Sequence, residues 1–154
     1  MLSPCNLKLQ ENLISLVRFL IPLEASALET RVAATPETIK KLQALSCKVF
    51  IEKGAGTSAG FTDEAFAKVG AQLVPVGDEK AWSEAEVVLC VQKPKDESLE
   101  MLKKGALIVG LLAPYGNSSL AKQLKSQKIS ALALELLPRI SRAQSSDALS
   151  SQAN

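Results

Sequence analysis

The chain has 154 residues, 47% of them hydrophobic, and a formal net charge of +2, which suits one domain around one sizeable core. Its Lys and Arg residues are scattered among acids, and its single Trp and single Tyr argue against nucleic-acid binding by stacking on a basic surface. It contains no histidine, so the usual catalytic base and commonest metal ligand are both missing. Its three cysteines, Cys5, Cys47 and Cys90, fit neither a disulfide framework nor a zinc knuckle and suit a reducing compartment.

Residues 1–16 are mixed and aperiodic and read as an extension before a domain spanning 17–154. The run from Leu13 to Leu23 with Ala25-Ser26-Ala27 after it has the outline of a secretion signal, but Glu11 and Arg18 interrupt it. No apolar run approaches the roughly 20 residues that a membrane helix needs, so direct insertion is not expected.

Val17 to Pro22 reads as the first strand, followed by a polar connection from Glu24 to Thr35. Thr35 is placed to cap a helix with Pro36 in its first turn, and Ile39, Leu42 and Leu45 share a face. Lys48 to Glu52 is the second strand. A short helix from Thr62 or Asp63 carries Phe66 and Val69 and stops at Gly70. Gln72 to Val76 is the third strand, and a brief acidic helix near Asp78 to Ser83 holds Trp82 against the core. Glu86 to Val91 is the fourth strand, Asp96 to Lys104 a helix, and Ala106 to Leu112 the fifth strand. Asn117 caps a helix to about Lys128, Ile129 to Leu136 is the sixth strand, and the apolar run Ala131 to Leu137 reads as a buried strand. Strands and helices that alternate in this way predict an α/β fold with an open, mostly parallel sheet and helices on both faces.

Three stretches invite a functional reading. Gly54, Gly56 and Gly60 lie between a strand and a helix, as in a dinucleotide fingerprint, but the third glycine comes four positions after the second instead of three. A glycine-shaped turn lining a cleft fits better. Arg31, just before a helix start, could hold a carboxylate in bidentate fashion or simply pair with Glu29 or Glu37. Lys93 and Lys95 flank Pro94 at the sheet's carboxyl edge and face either a ligand or solvent; Glu135 could cap or pair with Arg139. The third stretch is the close of the chain. Past Pro138 come two arginines, an amide, a carboxylate and a series of hydroxyls, either a solvated tail or ligand contacts at the carboxyl end of a strand.

Thr30-Arg-Val-Ala-Ala-Thr-Pro-Glu37, Glu52-Lys-Gly-Ala-Gly56 and the closing segment Pro138-Arg-Ile-Ser-Arg-Ala-Gln-Ser-Ser-Asp-Ala-Leu-Ser-Ser-Gln-Ala-Asn154 together resemble the alpha subunit of proton-translocating NAD(P) transhydrogenase, within the alanine dehydrogenase/transhydrogenase superfamily. The resemblance covers about Arg18 to the end. It implies a flavodoxin-like or Rossmann-like half-fold, NAD(H) as coenzyme, and NADP(H) held on a partner domain. It also implies partnership with NADP-binding and membrane domains, a homodimer, and a cytoplasmic location peripheral to the membrane. The family's closing loop contacts the nicotinamide, and its motif positions are here Arg139, Gln144, Asp147 and Ser150. Asp147 and Ser150 would hold the carboxamide, Arg139 the charged or ribose portion, and Gln144 would reach toward the partner nucleotide. No catalytic acid or base and no metal is implied, because hydride transfer needs close approach and fixed ring orientation alone.

The related alanine dehydrogenases place a catalytic histidine after the fifth strand, where this chain reads Leu111-Leu-Ala-Pro-Tyr115. Their substrate-carboxylate lysine falls by register on Gln92, although Lys93 is adjacent. Both departures favour transhydrogenase over an alanine-dehydrogenase-like oxidoreductase; a non-enzymatic binding or assembly module is the third reading. The family's nucleotide-binding half follows the closing segment, so the chain to Asn154 is expected to be the first subdomain only, with negligible NADH affinity in isolation.

Overall fold

The computed structural model describes residues 16–115 and 118–137. Six strands form one sheet: β1 (Arg18–Ile21), β2 (Lys48–Glu52), β3 (Gln72–Val74), β4 (Val87–Gln92), β5 (Leu107–Leu111) and β6 (Ser130–Ala133). Helices α1 (Pro36–Ala44), α2 (Asp63–Lys68), α3 (Glu79–Glu84), α4 (Asp96–Glu100) and α5 (Ser118–Gln127) connect them. Every pairing is parallel and the order is β3-β2-β1-β4-β5-β6. The sheet is therefore all-parallel and doubly wound, with its order reversing between β1 and β4, where such folds open a crevice beyond the strand ends.

Local chemistry sets the helix starts. Thr35, Thr62 and Asp78 each accept a backbone N–H three residues on, from Thr38, Ala65 and Ala81, which satisfies a donor that the first turn leaves free. Pro36 then presets the first helical φ of α1.

Two apolar clusters fill the two faces. One joins Ile39 of α1 and Phe66 of α2 to Ile21, Val49 and Ile51; the other joins Trp82 of α3, Leu99 of α4 and Leu124 of α5 to Leu20, Val88 and Ile108. Burying a side chain of this size stabilises the fold by about 1.5–3 kcal/mol. Close packing also explains Gly110 in β5, where a Cβ would stand 2.5 Å from the Cys90 carbonyl oxygen.

Several expectations need correction. The run Ala131–Leu137 is not a buried strand: β6 is an exposed edge that ends at Ala133, and a 3-10 turn takes over at Leu134–Leu136. Its apolar composition misled because an edge strand has a neighbour on one side only. Leu45 lies beyond α1 and is 74% exposed, so the helical face stops at Leu42. Helix α4 ends at Glu100, four residues early, and β3 ends before Pro75, which cannot donate to a ladder. Coverage of the sheet is also uneven among the described residues. In β4 and β5, Val88, Cys90, Ile108 and Gly110 are buried, whereas Leu89, Val91, Val109 and Leu111 are only half-buried, because α1 and α2 pack over β1–β3. Asn117 lies outside the described residues.

Candidate functional site

The half-covered face of β4 and β5 forms the floor of a cavity of about 180 Å³. Leu89, Val91, Val109 and Leu111 make that floor, Arg31 and Val32 make one wall, and Leu134 closes the far side. The floor side chains are all apolar.

The wall comes from the connection after β1 and is set by carboxylates. Glu29 takes both Nε and Nη2 of Arg31 at 2.7 Å, and the Arg31 backbone N–H at 3.0 Å. Its other neighbour is Gln92, whose Nε2 donates to it at 2.8 Å. The Glu29 side chain is only 5% exposed, and the Arg31 guanidinium pulls its pKa down to about 2. Of the two readings of Arg31, pairing with Glu29 is thus the one formed, while the residue also borders the cavity; Glu37 pairs with Lys41 instead, at 2.9 Å. Gln92 joins this cluster through Glu29, while Lys93 pairs with Asp96.

Carboxylates also take the amides at the carboxyl ends of five strands. Glu52 accepts from Leu23, after β1, and from Gly77, after β3, at 2.8 and 2.9 Å. Asp63 accepts from Gly54, after β2, at 2.9 Å. Glu24 accepts from Val91 and Gln92 at the end of β4, at 2.7 and 3.0 Å, and Glu135 accepts from Ala113 after β5. These are positions where other α/β folds present free N–H groups to phosphate. Here carboxylate side chains of the same chain fill them.

The glycine turn is shaped by packing. Gly56 packs on the Phe66 ring, and a Cβ there would come within 2.4 Å of it; the turn serves core packing, with Asp63 holding its first amide. Of the expected capping role for Glu135, the bond to Ala113 is the portion among the described residues.

Acid–base chemistry finds little support at the cavity. Burial first, and the Glu24 charge second, push the Cys90 thiol up to about 12, and Glu29 stays ionised. Burial raises the Glu24 pKa in spite of the two N–H groups that it accepts, with the nearby Glu29 charge adding to the rise.

Arg139, Gln144, Asp147 and Ser150, singled out from the sequence, lie outside the described residues. Sequence reasoning missed Glu24 and Glu52 as organisers of the edge. The available signal was an acid placed at or just beyond the end of an apolar strand, Ile21-Pro-Leu-Glu24 and Phe50-Ile-Glu52.

A family model described as alanine dehydrogenase/PNT, N-terminal domain, matches residues 20–154. The chain is 40% identical over 134 residues to NAD(P) transhydrogenase subunit alpha of Haemophilus influenzae, covering 87% of this chain and 26% of that protein. It is 38% identical over 133 residues to NAD(P) transhydrogenase subunit alpha of Cereibacter sphaeroides, covering 86% and 25%. The solved structure of a transhydrogenase from Sinorhizobium meliloti superposes with a TM-score of 0.81 at 36% identity, covering 88% of this chain and 40% of that one. The chain thus spans between about a quarter and two-fifths of the length of these relatives.

Proposed function

Because the chain belongs to the family of alanine dehydrogenase/PNT N-terminal domains and is a homologue of the NAD(P) transhydrogenase alpha subunit, we propose that it supplies the nicotinamide-side contacts for hydride transfer from NADH to NADP⁺. The observation that carries this reading is the reach of the family match through Asn154, which brings Arg139, Gln144, Asp147 and Ser150 inside it. Leu134, four residues before Pro138, lines the apolar cavity.

Bound at this edge, NADH supplies the hydride itself; the chain's residues bind and orient. Asp147 and Ser150 hold the carboxamide and so fix which face of the ring is presented. Arg139 steadies the ribose or charged portion, and Gln144 reaches toward the partner nucleotide. Leu89, Val91, Val109 and Leu111 keep water from the ring. No proton changes hands in this step, so the lack of histidine is no handicap. NADP(H) sits on a separate domain, and a membrane partner couples the transfer to proton movement; among the described residues, no helix is long and apolar enough to cross a membrane. The chain then works as a homodimer at the cytoplasmic face.

Arg139→Ala combined with Asp147→Asn, in the chain assembled with its NADP-binding and membrane partners, tests the reading. Loss of two to three hydrogen bonds, some to charged groups, is worth about 2–4 kcal/mol, so transfer should slow by roughly 30- to 1,000-fold. Undiminished transfer would refute it.

A further inference from the structure

The ladder between β1 and β4 stops at Leu20 and Val88, although β4 runs on to Gln92. On its other side, the register against β5 shifts between Leu89 and Gln92. The chain therefore kinks at the place where the sheet order reverses, and kinks of this kind aim side chains at sites. Beyond the end of the β1 ladder, the N–H groups of Val91 and Gln92 donate to the two oxygens of Glu24, at 2.7 and 3.0 Å. Glu24 stands three residues beyond the end of β1. Glu29, on the same connection, takes the side-chain amide of Gln92 and the guanidinium of Arg31.

We infer that Val91 and Gln92 form an anion seat at the sheet's switch point, and that Glu24 is its tethered occupant and the positioning residue of the candidate site. Seated, Glu24 docks the connection 22–35 onto the end of β4. Docking sets the Arg31–Val32 wall of the cavity and, together with Glu29, fixes Gln92 through main chain and side chain. It also denies the seat to an external carboxylate or phosphate.

Burial raises the Glu24 pKa above its ordinary value of 4.5. A raised carboxyl pKa gives stability below the unfolded value that is lost as pH rises through the folded one. Relative to its protonated form, ionised Glu24 is held at some cost to the fold. The charged or titratable groups around it are Glu29 and Arg31 on its own connection, Cys90 on β4, and Glu52 and Lys95, which line a pocket of about 300 Å³ with it.

Amide hydrogen exchange on the whole chain tests the inference, with Glu24→Ala and Glu24→Gln beside the wild type. Glu24→Ala should lower protection at Val91 and Gln92 by about 10- to 100-fold, the worth of a hydrogen bond to a charged acceptor. Sodium formate, whose two oxygens can fill the seat, should restore it where chloride at equal ionic strength does not. Glu24→Gln keeps one acceptor and should release one of the two amides. Protection retained at both amides in either variant overturns the inference, as does equal behaviour in formate and chloride. Should Glu24→Ala not fold, the Glu24→Gln result decides alone. Inorganic phosphate that perturbs these amides in the wild type also counts against it. No coenzyme enters these measurements, so their failure and the failure of the proposed function are separate events.

Discussion

Glu52 offers the sharpest test of how the carboxyl edge is built. It is the buried acid of the described core, 3% exposed, and its Oε1 accepts from the Gly77 N–H and the Trp82 indole N–H, both at 2.9 Å, while Oε2 accepts from Leu23 at 2.8 Å. One carboxylate thereby ties the exits of β1 and β3 to α3. Glu52→Ala strips all three donors at once. Leu23 and Gly77 are exposed and can turn to water at about 1 kcal/mol each, whereas the Trp82 N–H stays buried and unpaired, at about 1–3 kcal/mol. The sum is about 3–5 kcal/mol. For a chain of 154 residues, at about 2–4 °C per kcal/mol, the melting temperature should fall by roughly 10 °C. Glu52→Gln can keep the Gly77 and Trp82 bonds and sets its NH₂ against Leu23, a loss of about 1–2 kcal/mol. Glu37→Ala is the control, since its pair with Lys41 is an exposed i,i+4 contact that contributes little to stability. Differential scanning calorimetry at neutral pH reads all three. If Glu52→Ala melts within the error of Glu37→Ala, the hub does not hold the edge together and the reasoning fails.

Gly110→Ala should destabilise by about 1–3 kcal/mol, because the new methyl meets the rigid Cys90 carbonyl at 2.5 Å; urea titration should show a lower midpoint. Glu29 has a folded pKa pulled from 4.5 to about 2 by Arg31, so its share of stability is present above 4.5 and lost as pH falls toward 2. Denaturation midpoints across that window should decline in the wild type and less so in Glu29→Gln. Cys90, with its thiol pushed up to about 12, should resist thiol reagents at mildly alkaline pH until the chain unfolds, and peptide mapping would show labelling elsewhere first.

The sheet was legible because its strands carry their own signal: near-continuous apolar runs between capped helices leave a parallel α/β fold as the consistent choice. Thr35-Pro36, Thr62-Asp63 and Asp78 mark helix starts by side-chain geometry that acts within three residues, and β2 needed no correction. What misled was information that depends on distant neighbours. Nothing in Ala131–Leu137 says that it runs along an edge, and nothing in Leu45 says that its helix ends one residue earlier. The site was half legible. Arg31 and Glu29 are two residues apart and their pairing was foreseeable, whereas Glu24 meets Val91 and Gln92 across 67 and 68 residues of sequence. Contacts of that range follow from strand order, which no local pattern encodes.

The most direct test of the central claim follows the ring's orientation itself. NADH carrying deuterium on one face of its C4 carbon, supplied to the assembled transhydrogenase, should pass either all or none of that label to NADP⁺, with no label lost to solvent. Asp147→Asn together with Ser150→Ala should slow the transfer and let both faces donate. Label washed out into water, or a facial preference that survives the loss of both side chains, would contradict the account.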